Sequence, residues 1–421
     1  MKTILLFGAG KSATVLIDYL IKEAETNKWK FIIADANKEQ ILSKTNNSPI
    51  AEAIEMDITD DDAREAVIQR AHVVISMMPP ALHYLIAKDC VENRKHLLTA
   101  SYVDSKIKSL SDEIKHRKLL FLCEMGLDPG IDHMSAMKII DDIKFKGGNI
   151  TSFKSHCGGL VAPESDDNPW HYKISWNPRN VVTAGKAGAE YKINNEVKHK
   201  EYAEIFKTCA EVHIDGIGKL AYYPNRDSLS YIPTYKLKSA ETFERTTLRY
   251  PQFCTGWDTI VQAGLTNDID AIGTNISFAK WSSSIIPFVN ETNKEMLQYL
   301  GLFDDVLIPS TAKTSADVLQ YLLETKLIMQ PHDKDMIVML HEIEYNNSKI
   351  ESSLIVKGED NLRTAMAKTV GLPLGIAAKL ILNDVIKLRG LHIPTTKEIY
   401  EPVLKELENF GVVFNEKHLP V

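Results

Sequence analysis

The chain has 421 residues, 44% hydrophobic and 25% charged, with a formal net charge of −7. That length exceeds one ordinary core, so two or three domains are expected, and the composition argues against disorder. A mildly acidic chain repels nucleic acid and anionic lipid in bulk, so a small-molecule partner is expected, without nucleic acid or membrane, and a homodimer is left open.

The first apolar run, residues 3–7, is bounded by Gly8 and fits a buried parallel strand. It is too short for a signal peptide, and no apolar stretch is expected to reach the length of a membrane span. Residues 12–24 carry helical apolar spacing through Val15, Leu16, Tyr19 and Leu20. Strands are expected at 31–34, 73–76, 96–100 and 119–123, and helices at 81–94 and 105–118. Strand alternating with helix predicts an α/β fold, a doubly wound parallel sheet of Rossmann type, over residues 1–125. After Gly126 a turn-rich break leads into a helix at 133–143. Residues 151–255, rich in Gly, Pro, Trp and Tyr, predict an inserted α+β substrate domain with long loops. Helices are expected at 292–303, 315–328, 360–367 and 375–388, the last starting after Pro373, and a strand at 336–345. The second domain, with this helical portion, is expected at 126–390, and a C-terminal segment at 391–421 is expected to pack back on the body.

Five cysteines, Cys90, Cys123, Cys157, Cys209 and Cys254, form no C-x-x-C pair. Neither a disulfide framework nor a metal site is expected, and reduced thiols fit a cytoplasmic protein.

Gly8-Ala9-Gly10-Lys11-Ser12-Ala13 follows a strand and opens a helix, the context in which G-x-G-x-x-A binds a dinucleotide. Gly8 makes the tight turn, Gly10 lets the backbone reach the pyrophosphate, and Ala13 lets the helix pack on the strand. Asp35 ends the second strand, about twenty residues further on, where a carboxylate takes the ribose hydroxyls and repels a 2′-phosphate. NAD is therefore expected, with NADP the lesser choice. Asp57, after the third strand, is a candidate near the adenine or a plain strand-ending acid. Met77 ends the fourth strand on the cofactor side.

Five further segments carry a family resemblance. Gly126 to His133 reads GLDPGIDH, Cys157 to Glu164 reads CGGLVAPE, and Tyr172 to Trp176 reads YKISW. Tyr223 to Ser228 reads YPNRDS, and Thr247 to Tyr250 reads TLRY. In this order they resemble saccharopine dehydrogenases of the glutamate-forming type, with Val161 replacing the usual proline of the second, loop-like segment. The resemblance implies oxidation of saccharopine, a secondary amine, by a nicotinamide. The imine product is hydrolysed to L-glutamate and 2-aminoadipate 6-semialdehyde, or the reaction runs in reverse. Fungal biosynthetic members resemble Cys-Arg after the second strand, where this chain has Asp35-Ala36-Asn37, and that difference leans towards NAD and lysine degradation.

A substrate with three carboxylates calls for guanidinium forks, and Arg226 and Arg249 form the expected pair. By similarity, Ser101, Tyr102, Asp128, Thr247 and Leu248 face the substrate, and Trp176 offers an apolar wall. Asp128, His133 and Cys157 are candidates to accept the amine proton, with Asp128 chosen as catalytic. His133 also suits a helix cap, and Cys157 a small buried residue. His156 and Cys157 are strand neighbours with opposed side chains, so they form no nucleophilic pair. Two rivals stay open: a relative acting on another secondary amine such as carboxynorspermidine, and a non-catalytic NAD-binding sensor.

Overall fold

The computed structural model describes residues 1–420. The chain divides into two compact units, Met1–Asp142 with Leu362–Val413, and Ile143–Asn361 with the chain from Phe414 onward.

In the first unit lie β1 (Thr3–Phe7), β2 (Lys30–Asp35), β3 (Ala51–Glu55), β4 (Val73–Ser76), β5 (His96–Thr99) and β6 (Leu120–Leu122). A late strand, Gly390–His392, completes a seven-stranded sheet in the order Gly390–His392, β6, β5, β4, β1, β2, β3, with parallel pairing throughout. Every residue of β1 and β4 is buried, as strands covered on both faces require. The order reverses between β1 and β4, and the carboxyl ends of those strands are where such sheets bind ligands.

Two expected helices, 360–367 and 375–388, are one helix, Ala365–Leu382, with Pro373 inside it. Thr364 caps it by accepting from the Ala367 N–H at 2.9 Å. Pro373 lacks the N–H that would reach Thr369, but burial outweighs that loss. The helix lies so close to Thr14–Asn27 that a Cβ on Gly371 would stand 2.9 Å from that of Leu16, and one on Gly375 2.6 Å from the Tyr19 ring. This helix passes the length and hydropathy test for a membrane span, contrary to the expectation that no stretch would. Its best window is 78% buried inside the fold, so its apolarity serves core packing.

The expected boundaries at 125 and 390 therefore differ from the compact units. Residues 362–413 return to the first unit, because one strand extends its sheet and one long helix packs on its first helix.

The second unit holds a ten-stranded mixed sheet. Its strands are β7 (Ile150–Val161), β8 (Ala189–Ile193), β9 (Glu196–Lys200), β10 (Ala210–Ile214), β11 (Gly218–Pro224), β12 (Arg226–Asp227), β13 (Thr242–Arg249), β14 (Asp335–Tyr345) and β15 (Ser348–Lys357), with a last strand, Asn415–Pro420. The main path runs β10, β11, β13, β7, β14, β15, Asn415–Pro420. Cys157 to Leu160, expected in a loop, lie in the body of β7. A Cβ on Gly158 would meet the Leu248 carbonyl oxygen at 2.5 Å, so glycine is what lets β7 and β13 close up. Helices Pro251–Gln262, Lys294–Leu300 and Ser315–Lys326 enclose an aromatic core around Trp170, Phe253 and Trp257.

Candidate active site

The glycine turn stands at the carboxyl end of β1. Gly8 has φ +95 and donates to the Ala34 carbonyl at 2.9 Å. A Cβ there would press on the Met77 backbone at 3.1 Å, so only glycine suits the position. Gly10 differs, since nothing lies within 4 Å of where its Cβ would be. That open space over a helix start is what a pyrophosphate needs. Lys11 to Ala13 make one 3-10 turn and Ala13 is fully buried under the following helix.

Asp35 braces the turn from β2. Its Oδ2 accepts from the buried Ala9 N–H at 2.7 Å and its Oδ1 from Asn37 N–H at 3.0 Å. Two side chains of Lys38–Thr45 that sequence reading missed also reach the turn. Gln40 Nε2 donates to the Ala9 carbonyl at 2.7 Å, and the Lys44 ammonium meets the Gly10 carbonyl. Burial pushes the Lys44 ammonium down to about 8, although Asp35 and Asp18 act to raise it. Asp57 is exposed and holds a turn, its Oδ1 accepting from the Thr59 N–H at 2.8 Å and the Thr59 hydroxyl at 2.7 Å. It lies two residues past Glu55, the register partner of Asp35.

Beside the turn, at the ends of β4 and β5, three side chains form a line. The Ser76 hydroxyl is 2.8 Å from His83 Nδ1, and His83 Nε2 is 2.8 Å from the Ser101 hydroxyl. His83 is 2% exposed, and burial pushes its imidazole down to about 4, so it is neutral at physiological pH. Nothing in its sequence surroundings singled it out.

Tyr102 and Asp128 meet, the phenol donating to Asp128 Oδ1 at 3.4 Å. The segment bearing Tyr102 is tied to Glu124, whose N–H donates to the Ser101 carbonyl at 3.0 Å and whose Oε1 accepts from Val103 N–H at 3.1 Å. Glu124 Oε2 also stands 2.9 Å from His133 Nε2, and Asp132 Oδ2 lies 3.6 Å from His133 Nδ1. His133 is wholly buried in this group, which makes it an internal tie of the loop that carries Asp128.

The second unit presents Arg249 at the end of β13. Strand alternation places Arg245, Thr247 and Arg249 on one face and Leu248 on the other. Leu248 is fully buried with Leu160, Leu220, Met336 and Val338, so its side chain is core and only its backbone is left to meet a substrate. Thr247 is flanked by Tyr223 on β11 and Cys157 on β7. Arg249 is 4% exposed, lies 5.4 Å from both the Tyr172 and Phe253 rings, and donates through Nη1 to the Leu248 carbonyl at 2.7 Å. Its Nε is buried without a hydrogen-bond partner among the described residues. Trp176 is half-buried beside this group, donating to the Tyr172 hydroxyl at 3.1 Å.

Arg226 is exposed, with φ +52, at the start of β12. Arg226 pairs with Ala189 on β8, whereas Arg249 pairs with Ala221 on β11. Arg245, missed earlier, is 3% exposed with its guanidinium 4.5 Å from the Tyr231 ring. The alternation Arg245-x-Thr247-x-Arg249 was the signal that could have found it.

Sheet order and open glycine turn define a domain that binds a nicotinamide dinucleotide. The family described as "Saccharopine dehydrogenase NADP binding domain" matches residues 4–121, and "Saccharopine dehydrogenase C-terminal domain" matches 126–412. The chain belongs to the saccharopine dehydrogenase family. It is 33% identical to the saccharopine dehydrogenase [NADP(+), L-glutamate-forming] of Saccharomyces cerevisiae, covering 99% of both chains. The solved apo structure of saccharopine dehydrogenase (L-Glu forming) from Saccharomyces cerevisiae matches at TM-score 0.89 with 31% identity, over 100% of each chain. The chain is also 32% identical to the alpha-aminoadipic semialdehyde synthase of Arabidopsis thaliana and 33% identical to the mitochondrial one of Mus musculus, covering 98% of this chain in each case. It spans about half the length of those two relatives, 44% and 47%.

Proposed function

We propose that this chain is a glutamate-forming saccharopine dehydrogenase of lysine metabolism, acting in the direction of lysine breakdown. The observation that carries the substrate reading is Arg249, a buried guanidinium whose Nε has no partner among the described residues, in a segment that resembles the family's TLRY. A buried cation of this kind is costly unless an anion meets it, and a substrate carboxylate supplies a matching fork. In this reading Arg226 holds a second carboxylate, Thr247, Ser101 and Tyr102 add hydrogen bonds, and Trp176 shields the apolar part of the amine.

Gly8 to Ala13 would hold the dinucleotide, which when bound would supply the hydride acceptor. The amine must first lose a proton, and Asp128 takes it, with Tyr102 holding the carboxylate in place. Asp128 then passes that proton to solvent and, as a carboxylate again, accepts a proton from the water that adds to the imine carbon, after which the carbinolamine collapses to release glutamate. The test is dinucleotide reduction with saccharopine, with carboxynorspermidine as the competing substrate. Turnover of carboxynorspermidine alone would sink this substrate assignment.

For the cofactor, NAD follows from Asp35, whose carboxylate repels a 2′-phosphate where a ribose would sit. The fungal relatives carry NADP(+) in their names, and Lys44, a cation at the turn, is the group that could serve a phosphate here. Initial rates should favour NAD by roughly tenfold, and Asp35→Ser should erase most of that preference. Wild-type preference for NADP would overturn the carboxylate argument and move the role to Lys44.

A further inference from the structure

His83 sits in the helix His83–Glu92 with both ring nitrogens engaged. One end of the line, Ser76, is 1% exposed and pairs in register with Phe7, the residue before the glycine turn. The other end, Ser101, is partly open at the end of β5. The Ser101 backbone is held on both sides, its N–H donating to the Thr99 hydroxyl at 3.0 Å and its carbonyl accepting from Glu124 N–H at 3.0 Å. Only the direction of the hydroxyl proton is left to set.

The ring sets it. Nε2 has two hydroxyl oxygens within reach, Ser101 at 2.8 Å and Thr99 at 3.3 Å. A single N–H can be shared between two acceptors, whereas a single lone pair cannot serve two donors equally. A neutral ring with its proton on Nε2 gives all three hydroxyls a bond, with Ser76, buried and bonded to nothing else among the described residues, donating to Nδ1. With Nε2–H filling a lone pair of Ser101, the Ser101 proton is left to point away from the ring.

We infer that His83 is a positioning residue that turns the Ser101 hydroxyl outward as a donor to a substrate carboxylate. This rests on the saccharopine reading for the identity of the substrate, but the geometry of the line does not.

The test uses full-length wild type, His83→Leu, His83→Gln, Ser101→Ala and the His83→Leu/Ser101→Ala double variant. His83→Leu and Ser101→Ala should each raise the KM for saccharopine roughly tenfold and leave the dinucleotide Kd within about twofold. The double variant should be no worse than the worse single, because both remove one interaction. His83→Gln should recover part of the loss, since its amide N–H reaches the Nε2 position. Multiplying effects in the double variant, or an unchanged KM in His83→Leu, would overturn the inference. If His83→Leu does not fold, Ser76→Ala removes the far hydroxyl without a cavity and should raise KM several-fold; no change there overturns it equally. Should wild type not turn over saccharopine, the substrate reading fails by itself. The line is then judged by nitrogen-15 signals of the His83 ring, where a proton on Nδ1 would refute it.

Discussion

Arg249→Met is expected to lower kcat/KM for saccharopine by roughly a thousandfold, about 4 kcal/mol, the scale for losing a forked bond to a carboxylate in a buried site. The same substitution should stabilise the ligand-free protein by about 1 kcal/mol, since it removes a buried charge that no carboxylate compensates. Opposite signs for activity and stability separate a binding role from a structural one. Arg249→Lys should rescue little, because an ammonium cannot fork. Steady-state kinetics and thermal unfolding in the absence of substrate check both halves. A protein that melts well below wild type, with KM unchanged, would make Arg249 a packing residue. Arg226, exposed and held elsewhere on the sheet, should show a smaller loss on conversion to alanine, with dinucleotide affinity intact.

The second large effect lies at the glycine turn, and two neighbouring glycines should behave differently. Gly10→Val should weaken dinucleotide binding at least a hundredfold while leaving the melting temperature near wild type. Its φ of −64 suits any residue and no described atom lies within 4 Å of where its Cβ would stand, in the space a pyrophosphate would take. Gly8→Val should lose binding and also destabilise the fold by about 2 kcal/mol or more. There φ is +95 and the new Cβ would press on the Met77 carbonyl. Titration with dinucleotide beside thermal unfolding distinguishes the two. Equal destabilisation by both variants would mean that the turn is read wrongly at Gly10.

Legibility varied with how local the physics was. The strands of the parallel sheet were readable because burial on both faces demands continuous apolar runs such as Ile4 to Phe7. The glycine turn was readable because φ and close approach select residue types one at a time. Pro373 misled because its local preference, to end a helix, was overridden by packing of Gly371 and Gly375 on the first helix of the same unit. The segment Thr247 to Tyr250 did not show which side chains go to the core, because a strand sends alternate residues to opposite faces and Leu248 turns away from Arg249. His83, Lys44 and Glu124 had no local signal, since their partners lie in other segments.

From the order of residues alone came the alternation of strand and helix, the dinucleotide turn, the acid at Asp35 and the family-like segments. Each depends on contacts within a few residues or on a pattern repeated along the chain. The fold decided what those residues face: that Arg249 is buried with its Nε unpartnered among the described residues, that Arg226 lies on a strand beside Ala189, that Ser101 is held by a histidine eighteen positions earlier. Such facts are set by long-range burial, which changes the electrostatic value of a charge or a proton far more than any neighbour in sequence can.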